Sequence, residues 1–169
     1  MHIVGVCGSL QASSSNLTLL RSAPTVAPTG VKFSIFDGIR ALPLFDSDLE
    51  RDGVAPLPVA QWRSVVADAD ALMIASPEYG HSLPGSLKNA IDWLIGSGEL
   101  DGKVIGVTAS VSHESRGHKG LAAVLTTLAA VSANVVGGTA IARGPNEVED
   151  LRRFVTAIAS VVSRGTVPE

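Results

Sequence analysis

The sequence holds one cysteine, Cys7, so no internal disulfide can staple the fold, a composition that suits a reducing compartment. Charged residues make up only 17% of 169 positions, below the usual share of about a quarter. The net charge of −3 comes from scattered signs, which leaves no basic stripe for nucleic acid or anionic lipid. No apolar run reaches the roughly 18 residues that a membrane-spanning helix needs. Met1 leads into His2-Ile3-Val4-Gly5-Val6-Cys7 with neither a basic leader nor a long apolar stretch, so no secretory signal is read. The expectation is therefore a cytoplasmic protein with no membrane and no nucleic-acid partner.

What is present argues for an ordered core. Apolar residues account for 46% of the chain, enough for a single domain over residues 1–169. Five short apolar runs recur: Ile3–Cys7, Val31–Phe36, Ala71–Ala75, Val104–Thr108 and Val135–Ile141. They are nearly continuous rather than alternating, as parallel strands covered on both faces are. Helical periodicity fills the gaps. Leu87, Ala90, Ile91 and Leu94 follow an i, i+3, i+4, i+7 pattern, and so do Leu121, Val124, Leu125 and Leu128. Val148, Leu151, Val155, Ile158 and Val162 mark a last helix, with Asn146 and Glu149 as its capping box. Val59, Trp62 and Val66 give a weaker stripe. Trp62 and Trp93 read as packing residues, and the stretch from Asp37 to Pro58 as an ordered loop. The sum is an α/β fold with an open, doubly wound parallel sheet.

In such sheets ligands bind beyond the carboxyl ends of the strands, where three turns converge here. Gly8-Ser9-Leu10-Gln11-Ala12-Ser13-Ser14-Ser15-Asn16 opens the first helix with hydroxyls and backbone N–H groups, which can hold a phosphate or simply cap the helix. Its place after the first strand favours the phosphate. Ser76-Pro77-Glu78-Tyr79-Gly80-His81-Ser82 ends the third strand, with Tyr79 offering a flat face and Pro84 suiting a helix start. Spacing alone does not separate this turn from an ordinary strand-to-helix loop. The third turn, residues 109–119, carries His113, Glu114, Arg116, His118 and Lys119. It matches no zinc spacing, and Arg116 with Lys119 could meet a nucleotide 2′-phosphate or only solvent.

Several chemistries lack their residues. There is no G-x-x-x-x-G-K-[ST], no G-x-G-x-x-G after the first strand and no G-x-S-x-G elbow. Without those glycines, Asp37 reads as a turn residue rather than a ribose ligand. Cys7 lies inside an apolar strand and reads as core.

Two motifs in order carry a resemblance: Gly8-Ser9-Leu10 with Ser14-Ser15-Asn16, and the run from Ser76 through Pro84-Gly85-Ser86-Leu87-Lys88-Asn89 to Leu94. The sequence resembles the NAD(P)H-dependent FMN reductases and their quinone- and chromate-reducing relatives. The resemblance implies a flavodoxin-like three-layer sandwich with strand order 2-1-3-4-5 and non-covalent FMN. It implies that Ser9, Ser14 and Asn16, with Gln11 and Ser15 in the same loop, hold the FMN phosphate. Pro77, Glu78, Tyr79 and Gly80 would line the isoalloxazine ring with Ser82 nearby, and Ser110 would start the third cofactor-facing loop. NADPH or NADH would donate hydride to flavin N5 before a small electron acceptor such as a quinone enters, a ping-pong pattern. No side-chain acid or base is required, so no catalytic residue is assigned; Tyr79 and His81 are ring-adjacent only.

Family members are usually homodimers or homotetramers, and the Leu87–Leu94 helix is the candidate for part of that contact. Two alternatives remain open: a flavin reductase supplying a partner monooxygenase, and a flavodoxin-type electron carrier. The chain also departs from the family. Gln11 and Leu17 stand where arginine is frequent, Gly80 where asparagine is common, and Ser112-His113-Glu114-Ser115 where the family loop is glycine-rich. Weaker FMN affinity or a shifted preference between NADPH and NADH is the expected cost.

Overall fold

Alternation of side chains along two central strands sets the architecture. In β1 (His2–Cys7) and β3 (Ala71–Ala75), successive residues enter opposite cores, and both strands are buried on both faces. Val4, Val6, Leu72 and Ile74 pack toward α2 (Leu57–Asp68), α3 (Gly85–Ile95) and α4 (His118–Ala129). Ile3, Ala71, Met73 and Ala75 pack toward α1 (Ser15–Val26) and α5 (Glu147–Gly165). With β2 (Lys32–Phe36), β4 (Val104–Val111) and β5 (Asn134–Ala142), they form a five-stranded parallel sheet in the order β2-β1-β3-β4-β5. This is the flavodoxin-like order, and it reverses direction between β1 and β3. The computed structural model describes residues 1–50 and 54–165.

Helix stripes read from periodicity mostly reach the core. Leu87, Ala90, Ile91 and Leu94 are at most 2% exposed, and Val59, Trp62 and Val66 are equally enclosed. The Leu87–Leu94 stripe of α3 packs into the core, so a subunit contact through this helix would use its other face. Val148, at 57% exposed, does not share the α5 core face of Leu151, Val155, Ile158 and Val162. Nor does Glu149 close a capping box: its carboxylate pairs with Arg152 at 3.5 Å and Arg153 at 3.1 Å, one helical turn on.

The stretch after β2 is ordered, with 3-10 turns at Gly38–Ala41 and Ser47–Glu50; residues 51–53 lie outside the described residues. Its anchor is polar as well as apolar. Asn89 Nδ2 and Trp93 Nε1 both donate to the Pro43 carbonyl at 2.8 Å, and the Phe45 ring meets Trp93 edge-on at 5.1 Å. Phe36 stacks on Trp62 at 4.7 Å, which fixes the end of β2 against α2.

β4 runs three residues beyond its predicted end at Thr108. Pairing with β5 continues past a bulge, where Val107 faces Gly137 but Thr108 faces Thr139. Gly138 is the extra residue, and both glycines have positive φ, 86° and 102°. Ser110 therefore lies within the strand rather than at the start of a loop.

Gly106 sits where β4 passes under α5. A Cβ there would lie 2.2 Å from Ile158 Cδ1 and 2.7 Å from its Cγ1. Gly106→Ala is expected to lower unfolding free energy by about 1–3 kcal/mol in urea titrations, through overpacking. Adding Ile158→Ala should cost less in that background than alone, a coupling that a double-mutant cycle measures.

Candidate functional site

At the carboxyl edge the sheet ladder continues briefly into the loops. Gly8 N–H donates to the Ala75 carbonyl and Ser76 N–H to the Thr108 carbonyl, each at 2.9 Å. The chain ends of β1, β3 and β4 thereby start their turns from one fixed line.

The first loop turns its polar groups inward. Ser9, Ser14 and Asn16 are buried at 7%, 6% and 3% exposure. Ser9 Oγ accepts from Gln11 N–H at 3.2 Å and shares a hydrogen bond with the Tyr79 hydroxyl at 3.2 Å. Gln11 folds back, its Nε2 donating to Ser13 Oγ at 3.1 Å and its carbonyl accepting from Ser14 N–H at 3.0 Å. Ser14 is the N-cap of α1 but makes no side-chain cap bond, so the first-turn N–H groups stay open. Ser15 begins the helix at the cleft wall. Asn16 uses its Oδ1 to accept the Ser110 N–H at 2.8 Å, a buried bond from α1 to the end of β4.

The second loop is a two-residue reversal. Tyr79 and Ser82 exchange both backbone bonds at 3.0 Å, and the residues between them have φ of 56° (Gly80) and 63° (His81). This is the type I′ pattern, which demands left-handed backbone at both centres. Glycine and asparagine are the residues that tolerate it best, so Gly80 in place of the family's asparagine has a local reason. Tyr79 is 53% exposed.

Glu78 joins the second loop to the third. Its Oε2 accepts from Gly120 N–H at 2.9 Å, and Oε1 lies 3.1 Å from His81 Nδ1. Gly117, the N-cap of α4, has φ 84° and makes no side-chain cap bond, so Glu78 completes that helix start from another element. The Gly120 hydrogen bond, then that of His81, holds the Glu78 carboxyl below its ordinary range. Gly120 permits the approach: a Cβ there would stand 2.9 Å from Glu78 Cα.

Between these loops lies a cleft of about 360 Å³ lined by Ser15, Asn16, Pro77, Glu78, Ser110 and Arg116, among others. Ser110 Oγ is buried there with no hydrogen-bond partner. The start of α1 (Ser15, Asn16), the second loop (Pro77, Glu78) and the β4 end (Ser110) are thus brought together, whereas Ser9, Gln11, Ser14, Tyr79 and Gly80 do not line this cleft. Ser82 is held in its turn, and Lys119 is exposed on α4 and does not line the cleft either. Among the described residues, no three His, Cys, Asp or Glu side chains cluster as a metal site. Burial pushes the Cys7 thiol up, which leaves it a core group rather than a thiolate nucleophile.

The family model described as NADPH-dependent FMN reductase matches residues 1–146. The chain belongs to that family. It is 36% identical over 94 residues to the quinone reductase of Escherichia coli (strain K12), covering 56% of this chain and 50% of that protein. Against the NAD(P)H:quinone oxidoreductase of Solanum tuberosum it is 42% identical over 96 residues, covering 55% and 49%. The matched segments span about half the length of these curated relatives. Among solved structures, FerB, a flavoenzyme NAD(P)H:(acceptor) oxidoreductase from Paracoccus denitrificans, superposes with a TM-score of 0.83 at 23% identity, over 96% of this chain and 97% of that one. Oxidised flavodoxin 1 from Bacillus cereus gives 0.66 at 18% identity, over 95% and 98%. At such identities these neighbours speak to the fold.

Two contacts at this edge were not legible from the residues. Ser86 Oγ donates to the Gly8 carbonyl at 3.1 Å and braces the first loop from α3. Gly120 was hidden because its signal is a contact with Glu78, 42 residues away.

Two outcomes are expected here. Gly80→Asn should change stability by less than about 1 kcal/mol in urea titrations, while Gly80→Val should lose about 1–2 kcal/mol or more. Because its folded pKa is lowered, Glu78 contributes stability that is present above the ordinary glutamate pKa and lost as pH falls through the folded value. The Gly120 amide shift should therefore titrate with a midpoint below about pH 4.3, and Glu78→Gln should abolish that titration.

Proposed function

We propose that this chain is an NAD(P)H-dependent FMN oxidoreductase that reduces quinones or similar small acceptors. The observation that carries the reading is the cleft itself. It joins the uncapped start of α1, through Ser15 and the buried Asn16, to an unpartnered Ser110 Oγ, in a chain of the FMN reductase family. FMN fits these residues. Residues 8–18 contain no carboxylate, so nothing there repels a phosphate. The one carboxylate at the cleft, Glu78, is engaged by Gly120 and His81.

Bound FMN supplies the two-electron exchange between a nicotinamide donor and an acceptor. Ser9, Ser14 and Ser15, with the first-turn N–H groups of α1, would hold its phosphate, and Gln11 would shape that loop. Asn16 would keep its Nδ2 for the cofactor while its Oδ1 holds β4 in place. Pro77, Glu78, Tyr79 and Gly80 would wall the ring through a turn whose backbone cannot relax, and Ser82 would lock that turn. The Ser110 hydroxyl would find its missing partner on the cofactor. Arg116 stands at the cleft wall, where a donor's phosphate would pass. One open cleft serves donor and acceptor in turn, which supports a ping-pong sequence.

Subunit pairing would use the surface next to α3 rather than its buried stripe. Leu44, Val54 and Leu57 are 83%, 75% and 71% exposed, and Phe45, next to Leu44 in the chain, is 44% exposed. A homodimer through this face is the arrangement we favour.

Purified protein incubated with FMN should take up flavin, become yellow, and bleach anaerobically on addition of NAD(P)H. Initial rates with a quinone should give parallel double-reciprocal lines. Protein that stays colourless would overturn the reading, and flavin that NAD(P)H cannot reduce would leave an electron carrier. For the pairing, Leu44→Glu with Leu57→Glu should shift sedimentation toward the monomer.

A further inference from the structure

The phosphate loop has a charge problem. Residues 8–17 contain neither lysine nor arginine, yet a flavin phosphate carries roughly two negative charges near neutral pH. The first-turn N–H groups of α1 offset part of that charge, worth about half a unit. A cation is missing from the loop.

One arrives from another element. Arg40 lies on the 3-10 turn Gly38–Ala41 after β2 and reaches the first loop, where its Nη2 donates to the Leu10 carbonyl at 2.5 Å. A pocket of about 150 Å³ beside this contact, lined by Ser9, Leu10, Gln11, Ala12 and Arg40 among others, adjoins the first loop without sharing a lining residue with the cleft. The guanidinium makes one hydrogen bond and no ion pair among the described residues, so its other N–H groups are free to donate. Asp37 lines the same pocket without pairing to it. The turn beneath is rigid. Ile39 and Leu42 are buried at 5% and 8%, so the Arg40 backbone is fixed by packing and only its side chain needs to adjust.

We infer that Arg40 supplies the cation for the cofactor phosphate, in place of an arginine within the loop itself. The inference rests on the FMN reading above and deepens it: specificity for the phosphorylated flavin comes from the 3-10 turn after β2. A guanidinium can hold a backbone carbonyl with one N–H and present the rest of its fork to a phosphate. Leu10 is thus the tether that aims it.

Riboflavin, which has the same ring and ribityl chain without the phosphate, provides the test. Dissociation constants for FMN and riboflavin are measured by flavin fluorescence quenching with wild type, Arg40→Gln, and Arg40→Gln with Gln11→Arg. Arg40→Gln should weaken FMN binding by about tenfold or more while riboflavin binding stays within about twofold. The added Gln11→Arg should restore FMN binding, and the wild-type FMN affinity should fall with salt more steeply than that of Arg40→Gln. Unchanged FMN affinity in Arg40→Gln would overturn the inference. So would equal weakening of both flavins, since that assigns Arg40 only to holding Leu10. Wild-type protein that binds neither flavin would overturn the cofactor reading itself, a different failure from wild-type protein that binds FMN without needing Arg40.

Discussion

Asn16 reaches from the first turn of α1 to the end of β4 and takes the Ser110 N–H, 94 residues away, in a buried bond of 2.8 Å. An N–H enclosed at that depth needs a partner, and leaving it unmade costs about 1–3 kcal/mol. Nothing in the regular sheet pairing replaces it. The bond therefore locks the one helix that follows β1 to the one strand that borders the cleft on its far side. Gly8 is held in the same frame, from β3 through its N–H and from α3 through its carbonyl. Loops that would otherwise be free ends of strands become walls with fixed separation.

Two helix starts meet this edge, and they are treated in opposite ways. At α4 the exposed N–H groups are met by a carboxylate of the same chain, Glu78, and the loop-to-loop geometry is set by that contact. At α1 the N-cap serine makes no such bond, and the surrounding loop has hydroxyls but no acid. One positive helix end is consumed in joining two loops, and the other is left open. The same electrostatic feature, repeated along one sheet edge, gives a structural joint in one place and, on the proposed function, the seat of a phosphate in the other.

Much of this was legible in the sequence because burial on both faces writes itself plainly. The runs at Ile3–Cys7 and Ala71–Ala75 could be little else than central parallel strands, and the α3 stripe followed its periodicity. What stayed hidden depends on contacts distant in the chain. Apolar continuity ends β4 at Thr108 and leaves Ser110 in a loop; its extension relies on a bulge in β5 that re-phases the pairing. Val148 kept the helical period but sits at the first turn of α5, ahead of the packed part of that helix. Gly80 looked like a lost ligand contact until the turn showed positive φ at its position, where backbone conformation rather than side-chain chemistry selects the residue. The contact of Arg40 with the Leu10 carbonyl was hidden for the same reason, since 30 residues separate the two.

The glycine pair in β5 also bears on how this protein behaves among copies of itself. β5 is nine residues long and ends the sheet, so it carries a row of backbone groups without a neighbouring strand on its outer side. A straight, regular edge of that length is a template onto which another chain can add. Gly137 and Gly138 interrupt the spacing of those groups midway and twist the strand, so a regular strand cannot pair along its whole length. The kink that lets β4 reach the cleft thus also guards the sheet against aggregation.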